Sequence, residues 1–150
     1  MAQAGTRNRP LSPHLQIWKW GPQMTVSILH RVTGNGLALG GLGVLLWWLG
    51  ALASGAEAYA SFASWMWADL ALLKWDGFQA VVISLVKVVL KLVMIGISWA
   101  FFTHMASGIR HFVLDIGAGY ELKANRAWAL LSMASGVLLT TGFWALLLLR

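Results

Sequence analysis

The stretch that decides the fold is Leu92-Val93-Met94-Ile95-Gly96-Ile97-Ser98-Trp99-Ala100-Phe101-Phe102-Thr103-His104-Met105-Ala106-Ser107-Gly108-Ile109, which contains no Asp, Glu, Lys or Arg. A helix needs about 20 predominantly apolar residues to cross a bilayer, and this one reaches that length by starting as early as Val81. Val32 to Ala56 and Ala127 to Leu149 are two further charge-free runs. None breaks into alternating segments of about ten residues, as barrel strands do. The chain is therefore expected to be an all-α membrane protein with three transmembrane helices. Within a single domain, 1–150, the helices are placed at about 30–54, 82–113 and 127–149, after an N-terminal interfacial segment, 1–29.

Composition agrees. The 150 residues are 59% hydrophobic and 11% charged, with ten Trp, and the mean hydropathy is +0.70. Soluble domains carry about 25% charged residues, so this chain has too little polar surface to cover a globule. The net charge of +6 does not form a nucleic-acid-binding patch, because the basic residues are scattered between apolar runs. They report orientation instead. Arg7, Arg9, Lys19, Arg31, Arg110, Lys123 and Arg126 fall on one side of a three-span chain, and Lys74, Lys87, Lys91 and Arg150 on the other. The positive-inside rule then puts the N-terminus in the cytoplasm and the C-terminus in the periplasm. The chain has no Cys, which excludes disulfides, iron–sulfur ligation and thiol catalysis by its own residues. No cleavable signal is visible among Arg7, Arg9, Pro10, Pro13 and Lys19. A bacterial inner membrane is expected, with the mitochondrial inner membrane as the alternative.

Leu15 to Val26 mixes Trp18, Trp20 and Met24 with Lys19, Gly21 and Pro22, which suits a segment lying in the interface. The outer connection, Ala58 to Phe78, carries Trp65, Trp67 and Trp75, the aromatic dressing of a membrane boundary. Lys87 and Lys91 share a helix face at i, i+4 and are expected to snorkel to headgroups.

Polar groups at membrane depth are functional candidates. His104 lies six residues before Arg110, the expected boundary, so it sits roughly 9 Å inside at 1.5 Å per residue. It needs a hydrogen-bond partner or a metal. Gly108 follows on the same face and leaves room for a flat macrocycle or for another helix. Haem ligation and plain helix packing are both open for this pair. His111 lies seven residues past His104, and Asp115 is placed to pair locally with His111 or Arg110. A second cluster, Ser27-Ile28-Leu29-His30-Arg31-Val32-Thr33-Gly34, opens the first span. Ser27, His30 and Arg31 offer a hydroxyl, a titratable ring and a fixed charge, suited to quinone carbonyls or to haem propionates. Anchoring in headgroups is the alternative for Arg31. Arg9-Pro10-Leu11-Ser12-Pro13-His14-Leu15 reads as a stiff, extended docking segment for a soluble partner.

Three blocks together carry a resemblance: Arg9 to Leu15, Ser27 to Gly34, and His104 to Asp115 with its Gly108-Ile109-Arg110-His111 core. The chain resembles the larger cytochrome b membrane-anchor subunit of succinate dehydrogenase, respiratory complex II, over essentially its whole length. The resemblance implies a haem b shared with a second, smaller anchor subunit, with His104 as one axial ligand to its iron. It implies that Ser27 and Arg31 belong to the quinone site, with ubiquinone as substrate. It puts His30 and Arg31 at the haem propionates, with Gly108 and His111 nearby. Flavoprotein and iron–sulfur subunits are the implied soluble partners. Succinate oxidation, the tricarboxylic acid cycle step, lies on them, and electron transport to quinone involves this subunit. A quinol:fumarate reductase anchor, a structural anchor without redox cofactor and a small transporter are the rivals. The transporter is disfavoured because no buried acid or broken-helix pair marks a substrate path.

Overall fold

The computed structural model describes residues 17–67 and 73–149. The Arg9 to Leu15 block, Asp69 and Arg150 lie outside the described residues. The described residues are helical throughout apart from turns and connections, and three helices are long and apolar enough to cross a membrane. These are α1 (Pro22–Ala53), α3 (Phe78–Asp115) and α4 (Leu122–Leu148). A shorter helix, α2 (Ala56–Met66), follows α1. At 1.5 Å per residue the 38 residues of α3 extend about 57 Å, well past a hydrocarbon core of about 30 Å.

α1 starts earlier than the apolar run alone suggests. Pro22 occupies the first helical turn, where a missing N–H costs nothing, and the Gly21 carbonyl accepts from the N–H groups of Met24 and Thr25, each at 3.1 Å. Part of the stretch read as interfacial is thus the first turn of the spanning helix. Trp20 lies against this turn, donating from Nε1 to Thr25 Oγ1 at 2.5 Å. Midway, Leu37–Gly41 widens into a π turn, a local bulge of the kind that often accompanies functional sites. Gly36, Gly40, Gly43 and Gly50 recur along α1, and nothing lies within 4 Å of where a Cβ on any of them would stand.

The three long helices run up, down and up, so the starts of α1 and α4 share one end of the bundle with the finish of α3. The α3–α4 seam is made of small and polar residues, as expected where lipid gives helices no hydrophobic reason to associate. Gly136 of α4 stands against Thr103 of α3 and Arg110 of α3 reaches Asn125 of α4; Thr103, Ser107 and Arg110 of α3 and Ala129, Ser132, Gly136, Thr140 and Trp144 of α4 are buried. Large apolar side chains point outward instead: Leu39 is 80% exposed and Leu138 71%. That inversion is what a lipid solvent asks for.

At the opposite end, α2 folds back on the bundle. The outer connection is thus partly an ordered helix and not only an aromatic boundary. Gly55, at φ 101°, makes the reversal between α1 and α2. Phe62 and Met66 of α2 then pack with Ala51, Leu90 and Met94, and Trp47 meets Phe62 edge-on at 5.1 Å. The two lysines of α3 lie over Trp rings, Lys87 over Trp65 and Lys91 over Trp144, each 5.7 Å from the centroid.

Candidate functional site

α1 and α3 meet through side chains that the sequence places 70 to 80 positions apart. Thr33 and Gly34 lie one turn past His30 on α1, and Ser107 with Gly108, then His111, follow His104 at successive turns of α3. The rings of His30 and His104 stack in parallel, with centroids 3.9 Å apart and planes 9° from each other. His111 meets the same His30 ring edge-on, at 4.8 Å. The three histidines therefore form one cluster at the α1–α3 contact.

The hydrogen bonds of His104 assign its proton. Nδ1 stands 3.1 Å from the main-chain oxygen of His30, and a carbonyl can only accept. Nδ1 therefore carries the hydrogen. Thr33 Oγ1 is 3.3 Å from the same nitrogen, and its own hydroxyl donates to Leu29 O at 2.7 Å, with His30 O also within reach at 3.1 Å. Thr33 thus meets His104 with a lone pair. In the neutral ring this leaves Nε2 unprotonated, the form in which imidazole binds a metal.

His104 reaches the α1 backbone because residue 34 is glycine. A Cβ on Gly34 would stand 2.9 Å from His104 Cε1, closer than side chains tolerate. Gly108 is different. A Cβ there would be 3.9 Å from His30 Cε1, an ordinary contact, so His30 of α1 lies over this glycine. His30 is anchored by Ser107, whose Oγ is 2.7 Å from His30 Nδ1 and also bonds back to Thr103 O at 2.8 Å and His104 O at 3.0 Å.

Arg110 does not mark an exposed boundary. It is 6% exposed, turned into the α3–α4 seam, where Nη2 donates to Asn125 Oδ1. Its Nε is buried without a partner. The local charge pair expected from Asp115 is absent among the described residues: Asp115 is exposed, and Arg110 pairs across helices with a neutral amide. Ser27 is half-buried one turn before His30, and Arg31, next to His30, is exposed.

Among the described residues no group of three or more His, Cys, Asp or Glu could hold a bare metal ion. A single axial histidine on a metal macrocycle is a different requirement, and one imidazole with a free Nε2 meets it. Below His104 and Gly34 the same seam opens into a groove of about 610 Å³. The π turn of α1 borders it through Leu37 and Gly41, α3 through Ile97, Ser98 and Phe101, and α4 through Phe143. Its size and apolar lining suit a flat or chain-like apolar ligand.

Sequence reasoning gave no separate role to Thr33, Gly34, Ser107 or Asn125. The adjacency of Thr33 and Gly34 one turn past His30 was the available signal, since a small residue beside a hydroxyl permits close approach to a facing helix.

The profile of the Succinate dehydrogenase/Fumarate reductase transmembrane subunit family matches residues 5–143. The chain is 32% identical over 136 residues to the succinate dehydrogenase cytochrome b556 subunit of Rickettsia felis, which covers 91% of this chain and 90% of that one. It is 32% identical over 123 residues to the cytochrome b556 subunit of Paracoccus denitrificans, covering 82% and 79%. To the mitochondrial cytochrome b560 subunit of Mus musculus it is 34% identical over 117 residues, covering 77% and 57%. With three spanning helices and a match across most of its length, the chain belongs to the succinate dehydrogenase/fumarate reductase transmembrane subunit family.

Proposed function

We propose that this chain is the cytochrome b anchor of a succinate:quinone oxidoreductase, holding haem b with a second anchor subunit and forming part of the quinone-reduction site. The observation that carries the reading is the tautomer of His104: with Nδ1–H given to the His30 carbonyl, Nε2 is left as a donor atom for iron. One histidine supplies one axial position, so a bis-histidine haem takes its other ligand from the partner. The uncovered glycines of α1 suit close packing by a helix of that partner. When bound, the haem would supply a one-electron reservoir.

The residues of this chain do the remaining work. His104 would hold the iron through its imidazole, and the groove beneath it is lined mostly by apolar side chains. His30 and Arg31, at the mouth of α1, would meet the propionates. Ser27 and Arg31 are the groups for a quinone: the hydroxyl donates to a carbonyl oxygen, and the guanidinium stabilises the negative charge that builds there on reduction. The flavoprotein and iron–sulfur subunits dock on the face carrying these groups, the cytoplasmic side in the proposed orientation of a bacterial inner membrane.

His104→Ala in the purified complex is the test. Loss of the low-spin b-type α band, with succinate oxidation by an artificial dye retained, is the expected result. An unchanged spectrum removes the ligand assignment.

A further inference from the structure

We infer that Thr33 and Gly34 are positioning residues for His104, fixing the tautomer and the reach of the axial imidazole from the neighbouring helix. The inference rests on the haem assignment above and adds to it a control on the strength of the iron–imidazole bond.

Thr33 is 2% exposed, so its hydroxyl is not a surface group that happens to lie near. Its proton is committed to main-chain oxygens of its own helix, which turns an oxygen lone pair toward His104 Nδ1. The imidazole N–H is therefore shared between two acceptors, one main-chain and one side-chain. Such sharing draws the proton away from the ring and makes Nε2 more basic. A more basic axial ligand favours ferric over ferrous iron. Gly34 acts by its absent side chain: the 2.9 Å that a Cβ would leave to His104 Cε1 shows that the ring occupies the space another residue would fill. The two act in sequence, Gly34 admitting the ring and Thr33 with the His30 carbonyl orienting it.

The test uses the intact purified complex. Thr33→Val keeps the shape and removes the acceptor, while the His30 carbonyl remains to hold the ring. The expected outcome is an unchanged haem-to-flavin ratio, a haem midpoint potential shifted to more positive values, and altered g-values in the low-spin ferric EPR spectrum. Thr33→Ser restores the hydroxyl and is expected to return both to wild-type. Gly34→Ala pushes the ring off its seat and is expected to lower the haem-to-flavin ratio. Succinate oxidation by an artificial dye reports assembly separately for every variant. If Thr33→Val does not assemble, Gly34→Ala decides alone. Assembled variants with wild-type haem content, potential and EPR overturn the inference while leaving His104 as ligand. A wild-type complex with no b-type α band overturns both.

Discussion

Gly136→Ala adds one methyl group to the seam between α3 and α4. The position is confined: a Cβ there would stand 3.0 Å from Thr103 Cβ and 3.1 Å from Thr103 Cα. Ordinary carbon contacts lie at about 3.5–4.0 Å, and the Cα belongs to a helix backbone that no rotamer change can move. The helices must separate by a few tenths of an ångström, and overpacking of this kind costs about 1–3 kcal/mol. At about 2–4 °C per kcal/mol for a chain of this size, the Tm should fall by on the order of 5 °C. Because Thr103 precedes His104 directly, the separation should also lower haem retention. The assay is thermal unfolding of the detergent-purified complex, with haem measured per flavin. Gly142→Ala is the control on the same helix, since nothing lies within 4 Å of its Cβ position; there the helix propensity of Ala should leave the Tm unchanged or slightly raised. Equal melting of the two variants would refute the close α3–α4 approach.

Two other substitutions separate chemistry from framework. Arg31→Leu should lower quinone reduction by on the order of 10²-fold, the scale for losing one group that meets developing charge, while dye-linked succinate oxidation persists; parallel loss of both would point to failed assembly. Asn125→Leu strands the buried Arg110 guanidinium and should cost about 1.5–3 kcal/mol, whereas Arg110→Met removes the charge together with its need and should cost less. Melting of both variants checks the order, and a milder Asn125→Leu would refute the pairing.

The spans were legible because lipid imposes a coarse rule: charge-free runs such as Leu92 to Ile109 cannot be anything but buried in apolar surroundings. The ends were less so. Pro22 starts α1 because the backbone needs only Gly21 as a cap and a fixed φ, and neither demand leaves a hydropathy signal. α2 was hidden for a related reason. Tyr59, Phe62 and Met66 follow a helical spacing, but they sit among Trp65 and Trp67, which mark a membrane boundary equally well. Only packing against Ala51 and Met94 decides between the two.

The candidate site divides along the same line. His104 stood out because an imidazole at membrane depth must be satisfied by something, and that follows from one residue and its position. Its partners depend on which face of α1 meets which face of α3, a relation between helices more than 70 residues apart. Gly34 and Gly108 look alike as letters, and the more prominent one, four residues past His104, is not the one that makes room for its ring. Arg110 likewise looks like a headgroup anchor until Asn125, 15 residues on and across a turn, is seen to face it. A residue's burden can be read locally, but the group that relieves it is fixed by the register between helices. The same logic carries to the iron. His104 is oriented from within this chain, by His30 O and Thr33, and the proposed haem would need a second histidine that none of the neighbouring side chains among the described residues is arranged to give. His30 is stacked against the face of His104 and bound to Ser107, so under the proposed haem reading a second ligand would come from another subunit.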